Sequence, residues 1–236
     1  MKSITDEPKR RFSSIMMDVD GTLLDFDEAE RRGVAEVLRA HGIEPARALL
    51  LRYHKINDQF WKAFERGDIA KEEILTGRFP AFFKTLGIEV ESQTEEQRYR
   101  RQLDSCAILM DGALDICGYL KEKGYRLYIV TNGIASTQHA RLDASGLTPY
   151  FDDIFISEEV GSQKPQKEYF DYCFTRIPEK DLSRILIVGD SLTSDIQGGK
   201  NSGISTCLAN FGNLRRIAGI KADYEITKLS ELKRLL

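Results

Sequence analysis

The chain has 236 residues, 42% of them hydrophobic and 30% charged, with a formal net charge of −3 at pH 7. This is an ordinary globular composition, enough for one large domain or two modest ones, and it gives no electrostatic reason to expect a nucleic-acid polymer or an anionic membrane as partner. The four cysteines, Cys106, Cys117, Cys173 and Cys207, have no Cys-x-x-Cys spacing, which argues against a zinc site or a disulfide framework and for reduced thiols in a cytoplasmic protein.

In chain order, residues 1–12 are charged and lack an apolar export segment, and the cluster Lys9-Arg10-Arg11 reads as a solvated arm. Ile15-Met16-Met17 is then a short apolar run of the kind expected for a buried strand. It leads into Asp18-Val19-Asp20-Gly21. Two carboxylates so close repel unless a proton or a cation intervenes. A hard divalent cation with oxygen ligands, most simply Mg2+, suits them. An exposed acidic turn is the competing reading.

Residues 28–107 change texture: strand-like runs give way to helical periods. Four to five helices are expected, broken near Gly42, Gly67 and Gly87. Asp68 reads as the N-cap of a helix through Lys71-Glu72-Glu73, and Thr94 with Gln97 as a capping box. Tyr53, Asn57, Trp61 and Phe64 form a stripe at helical spacing. It reads mainly as the insert's own core, with Asn57, Trp61 and Arg78 as alternative pocket residues against which a planar base stacks.

From residue 113 helices and strands alternate: helix 113–123, strand 126–130, helix 136–145, strand 153–156, helix 166–176, strand 184–188, helix 193–202 and strand 205–208. A last short strand at 224–226 and a helix at 229–236 close the chain. The pattern predicts an α/β doubly wound parallel sheet with an inserted all-helical cap: a core of residues 1–27 and 108–236, and a cap of 28–107. Strand carboxyl ends in such a sheet point one way. They gather Asp18 and Asp20, Thr131-Asn132-Gly133, Lys164-Pro165, and Gly189-Asp190-Ser191 with Asp195. Acids suit a metal; a lysine, a hydroxyl and helix-start N–H groups suit a phosphate. Taken singly, Thr131 also reads as a helix N-cap, Lys164 as a surface lysine before a proline, and Asp195 as an acid that favours a helix start.

In combination and in order, these four segments resemble the motifs of the haloacid dehalogenase superfamily of phosphohydrolases, and the loop texture is similar to its pyrimidine 5'-nucleotidase branch. The resemblance implies a Rossmann-like core and an enzyme in which Asp18 is the nucleophile that forms an aspartyl-phosphate and Asp20 the general acid and base. It implies that Mg2+ is held by Asp18, the Asp20 carbonyl, Asp190 and Asp195. Thr131, Asn132 and Lys164 would hold the phosphoryl group. The expected substrates are small phosphate monoesters, nucleoside monophosphates first, handled by a cytoplasmic monomer or homodimer. Asp20 argues against carbon–halogen cleavage. A sugar-phosphate or phosphoglycolate phosphatase, a phosphomutase and a phospho-accepting signalling module are the alternatives.

Overall fold

The computed structural model describes residues 11–212 and 219–236; of the basic cluster at 9–11, Lys9 and Arg10 lie outside the described residues. Six parallel strands form one sheet in the order β3-β2-β1-β4-β5-β6. They are β1 (Ser14–Met17), β2 (Arg126–Thr131), β3 (Asp153–Ile156), β4 (Ile185–Gly189), β5 (Ser205–Ala209) and β6 (Tyr224–Ile226).

The strands are continuous apolar runs because both faces of the sheet are covered. Side chains alternate along a strand. Ile15, Met17, Leu127, Ile129, Leu186 and Val188 pack to one side, with Ile116, Cys117 and Leu120 of α5 (Ala113–Glu122) and Leu142 of α6 (Ala135–Ser145). Met16, Tyr128, Val130, Ile185 and Ile187 pack to the other, with Tyr169, Phe170 and Cys173 of α8 (Lys167–Arg176). A short α7 (Ser157–Val160) follows β3. α9 (Gln197–Ser202) lies tight on the sheet: a Cβ at Gly199 would meet Thr206 and Ile187 at 2.6 and 2.7 Å. The chain ends in α10 (Leu232–Leu235).

Between β1 and α5 the chain runs through α1 (Phe26–Ala40), α2 (Arg47–Arg66), α3 (Lys71–Lys84) and α4 (Ser92–Asp104). These helices share a core of their own, with Val34, Val37, Leu38, Tyr53, Phe79, Phe82, Phe83 and Tyr99 at its centre. Through it runs a polar chain, buried from Arg78 to Glu30 and ending at the exposed His54. Arg78 donates to Glu96 at 2.6 and 2.9 Å and to Asn57 at 3.1 Å, Asn57 donates to Glu30 at 2.8 Å, and His54 pairs with Glu30 at 2.7 Å. A buried guanidinium needs these partners to offset its desolvation.

Local capping differs from expectation. Helix α3 starts at Lys71 behind Ala70, whose N–H donates to Glu73, while Asp68 pairs with Arg66 instead. Helix α4 starts two residues before Thr94: Glu91 is the N-cap and accepts from the Gln93 and Thr94 N–H groups. A carboxylate one turn earlier satisfies the first orphan donors, so the Thr94 hydroxyl is not required there. The helix expected at 193–202 begins instead as a π-helical turn, Leu192–Ile196. All four cysteines are free and buried. Among the described residues no helix is long and apolar enough to cross a membrane.

Candidate active site

Strand β1 is the central switch of the sheet. Connections run outward through β2 and β3 on one side and β4, β5 and β6 on the other. Ligands bind outside the strand carboxyl ends at such a point. Register brings the acids together there: Met17 lies beside Val188, and the Asp18 N–H donates to the Val188 carbonyl at 2.9 Å. Asp18 therefore leaves β1 next to where Asp190 leaves β4. Strand β1 ends at Met17, so Asp18 and Asp20 sit on the following turn. Gly21 makes that turn at φ +78°, and a Cβ there would lie 2.5 Å from the Asp190 carboxylate. Only glycine fits both the backbone and the acid behind it.

The centre of the site is Lys164, 1% exposed. Its Nζ donates to Asp18 Oδ1 at 2.6 Å, Asp195 Oδ1 at 2.7 Å and the Val130 carbonyl at 2.8 Å. It is not a surface lysine. Burial alone would lower its pKa, but Asp18 and Asp195 outweigh burial and hold the ammonium above its ordinary value. Burial pushes the Asp18 carboxyl up to about 7, with Lys164 pulling against it. Burial also raises Asp190 well above the usual carboxylate range, and Asp18 and Asp195 add to it. Carboxylate oxygens of Asp18, Asp190 and Asp195 all lie within 4.8 Å of one another. This all-oxygen donor set, with excess negative charge in low dielectric, fits a hard divalent cation. Asp195 also accepts the Ser191 N–H at 3.1 Å. With both oxygens engaged, it fixes Lys164 and the turn after β4, which is more than a helix-start acid does.

Thr131 ends β2, while α6 is capped at Ile134, so Thr131 is not the helix cap. Its hydroxyl oxygen accepts from the Gly133 N–H at 3.1 Å and Gln138 Nε2 at 3.0 Å. Both acceptor sites are thus taken, and its own O–H remains to donate. The Asn132 side chain clamps the Lys164 backbone, donating to its carbonyl and accepting its N–H, each at 2.9 Å.

These groups line one cavity of about 190 Å³ whose opposite wall comes from the helical insert: Phe26, Trp61, Glu65, Arg78 and Leu103. Trp61 and Arg78 therefore reach the site, although Arg78 is spent largely on Glu96. Asn57 does not line it. Its amide is held inside the insert between Glu30 and Arg78, because a buried polar side chain goes where its partners are.

Four residues at the site carry no motif in the sequence. Gln138 and Arg141 on α6 bind the two oxygens of Asp20: Gln138 Nε2 donates to Oδ2 at 2.6 Å and Arg141 Nη1 to Oδ1. Glu65 accepts from Thr193 at 2.7 Å across the insert–core boundary, and burial raises its carboxyl to about 7. Lys71, at the start of α3, donates to the carbonyls of Asn132 and Gly133 at 2.8 and 3.1 Å and to Ser157 Oγ at 2.8 Å. The available signal was weak: Thr137, Gln138 and Arg141 share a helix face that also carries Leu142 of the core.

A family model for haloacid dehalogenase-like hydrolases matches residues 12–203. The chain is 42% identical to the HAD-hydrolase YfnB of Bacillus subtilis over 227 residues, 96% of each chain. A crystal structure of YfnB, bound to magnesium and revealing interdomain movement, superposes with a TM-score of 0.90 over 96% of this chain and 99% of that one. The pyrimidine 5'-nucleotidases PynA of Streptococcus pneumoniae and YjjG of Escherichia coli are 36% and 32% identical. Those alignments cover 94% of this chain, with 93% of PynA and 96% of YjjG.

Proposed function

The chain belongs to the haloacid dehalogenase-like hydrolases, and from that premise we propose that it is a Mg2+-dependent phosphatase of small phosphate monoesters, with pyrimidine nucleoside 5'-monophosphates as the leading substrates. The observation that carries this reading is the meeting of Asp18, Lys164 and the Thr131 hydroxyl at one end of a cavity walled opposite by Trp61. Phosphoryl transfer needs positioning and charge neutralisation more than covalent machinery, and the site supplies both. Likeness to PynA and YjjG supports the nucleotide class, and the planar Trp61 face suits a base.

In this mechanism Lys164 and the Thr131 O–H hold phosphoryl oxygens. An Asp18 oxygen attacks phosphorus, the ester P–O bond breaks, and Asp20 gives its proton to the departing alkoxide. Asp20 then takes a proton from water, which attacks the aspartyl-phosphate and releases inorganic phosphate and Asp18. Asp18, Asp190, Asp195 and the Asp20 carbonyl would hold the cation, which when bound neutralises the clustered carboxylates and the phosphoryl charge. Residues 28–107 are the cap that selects substrate and 1–27 with 108–236 the core, in a cytoplasmic monomer or homodimer; the first cap helix in fact starts at Phe26.

The test is phosphate release from a panel of monoesters with and without Mg2+, in wild type and Asp18→Asn. The panel spans pyrimidine and purine monophosphates, sugar phosphates and phosphoglycolate. Metal-dependent turnover, best on pyrimidine monophosphates and lost in the variant, is expected. Best turnover on phosphoglycolate or a sugar phosphate would transfer the reading to those substrates. Isomerised sugar phosphate without stoichiometric phosphate would make it a mutase, and a long-lived phosphoprotein a signalling module.

A further inference from the structure

Helix α6 places Thr137, Gln138 and Arg141 on the cavity wall, 4%, 1% and 1% exposed. Arg141 reaches the Cys106 carbonyl with Nε at 3.2 Å and Asp20 with Nη1. Gln138 Nε2 bridges Asp20 Oδ2 and Thr131 Oγ1, donating one N–H to each. Each Asp20 oxygen thus has a fixed partner, and one amide links it to the hydroxyl aimed at the phosphoryl group.

Three buried polar atoms of the same face remain without a partner among the described residues: Arg141 Nη2, Gln138 Oε1 and Thr137 Oγ1. Buried polar groups are normally paired. The three residues line one cavity, and their buried donor, acceptor and hydroxyl are the groups that a ligand's own oxygens would pair there.

We propose that Gln138 and Arg141 position Asp20 at the leaving oxygen and that their unpaired atoms, with Thr137, form a subsite for a leaving alcohol bearing its own hydroxyl or carbonyl oxygens, as a ribose does. The inference rests on the aspartyl-phosphate reading. Groups bonded to Asp20 lie beside whatever atom Asp20 protonates, so the first atoms of the leaving group meet this face.

The test exploits leaving-group chemistry. An alkoxide needs a proton as it departs; a nitrophenolate does not. Departure is the last step that kcat/KM reports. In Gln138→Ala and Arg141→Lys, kcat/KM for the best alkyl monoester should fall about 100-fold, and for p-nitrophenyl phosphate no more than about tenfold. In Arg141→Ala, added guanidinium should restore part of the alkyl activity. Equal losses on both esters, or none on either, would overturn the inference. Should the Arg141 variants fail to fold by circular dichroism, Gln138→Met, apolar and close to glutamine in length, decides alone on the same two esters. Failure of the underlying reading is distinct: it appears with Gln138 and Arg141 intact, as turnover that survives Asp18→Asn.

Discussion

Lys164→Met removes the charge that holds the site together while keeping most of the side chain's length. The wild-type ammonium serves two carboxylates and a carbonyl at 2.6, 2.7 and 2.8 Å. Methionine fills the space and leaves Asp18 and Asp195 buried without their cation. Breaking a buried ion pair from one side costs about 3–5 kcal/mol, and at roughly 2–4 °C per kcal/mol for a chain of this size Tm should fall by about 10 °C. The loss depends on pH. In the wild type burial raises folded Asp18 from 3.8 to about 7, so the folded state holds that proton more tightly than the unfolded one. Its contribution is complete below about pH 4 and is lost as pH rises through about 7. Without Lys164 the Asp18 carboxyl stays protonated to higher pH, because the ammonium that pulls its pKa down is gone, and that protonation partly offsets the missing ammonium in acid. The variant's deficit should therefore be small near pH 5 and largest near pH 8. Urea unfolding in chelator at both pH values measures it. A deficit below about 1 kcal/mol near pH 8, the scale of an exposed pair, or one unchanged at pH 5, would refute the reasoning.

Mg2+ at about 100 times its Kd should stabilise the wild type by about 2.7 kcal/mol. Asp190→Asn should abolish that gain in a thermal-shift titration. Trp61→Ala should raise KM for a pyrimidine monophosphate about tenfold while leaving that for p-nitrophenyl phosphate within about twofold, if a stacked base is worth roughly 1 kcal/mol or more; steady-state kinetics on the two esters decide. Burial raises Glu65 to about 7, so its contribution to stability is full below its ordinary value of 4.5 and lost as pH rises through 7. Glu65→Gln should flatten the stability profile between pH 5 and 8, read by thermal unfolding across that range.

The core motifs were legible because each sits where an apolar strand stops. Asp18, Thr131 and Asp190 all lie at strand ends, and a parallel sheet delivers such ends to one edge whatever the intervening chain does. Lys164 was legible through its place in that order, but its burial was not, since a lysine before a proline looks the same on a surface. The α6 residues were hidden for a different reason. Gln138 and Arg141 are ordinary helix formers, and only the approach of α6 to the turn after β1 gives them Asp20 as partner. Asn57 and Trp61 show the limit of periodicity. One turn apart on a single stripe, they go to different places, Asn57 to Glu30 and Arg78 and Trp61 to the cavity. Helical spacing assigns a face, not a partner. Lys71 likewise reads as a first-turn residue, and its grip on the Asn132 and Gly133 carbonyls depends on how α3 lies over the end of the sheet.

The most direct measurement is rapid acid quench of the enzyme turning over a radiolabelled phosphate monoester with Mg2+, followed by borohydride reduction and peptide mass mapping. The account predicts protein-bound label that appears before steady state and that reduction releases as phosphate, leaving homoserine at the Asp18 position, with neither seen in Asp18→Asn. Homoserine at another position, or full turnover by Asp18→Asn, would contradict it.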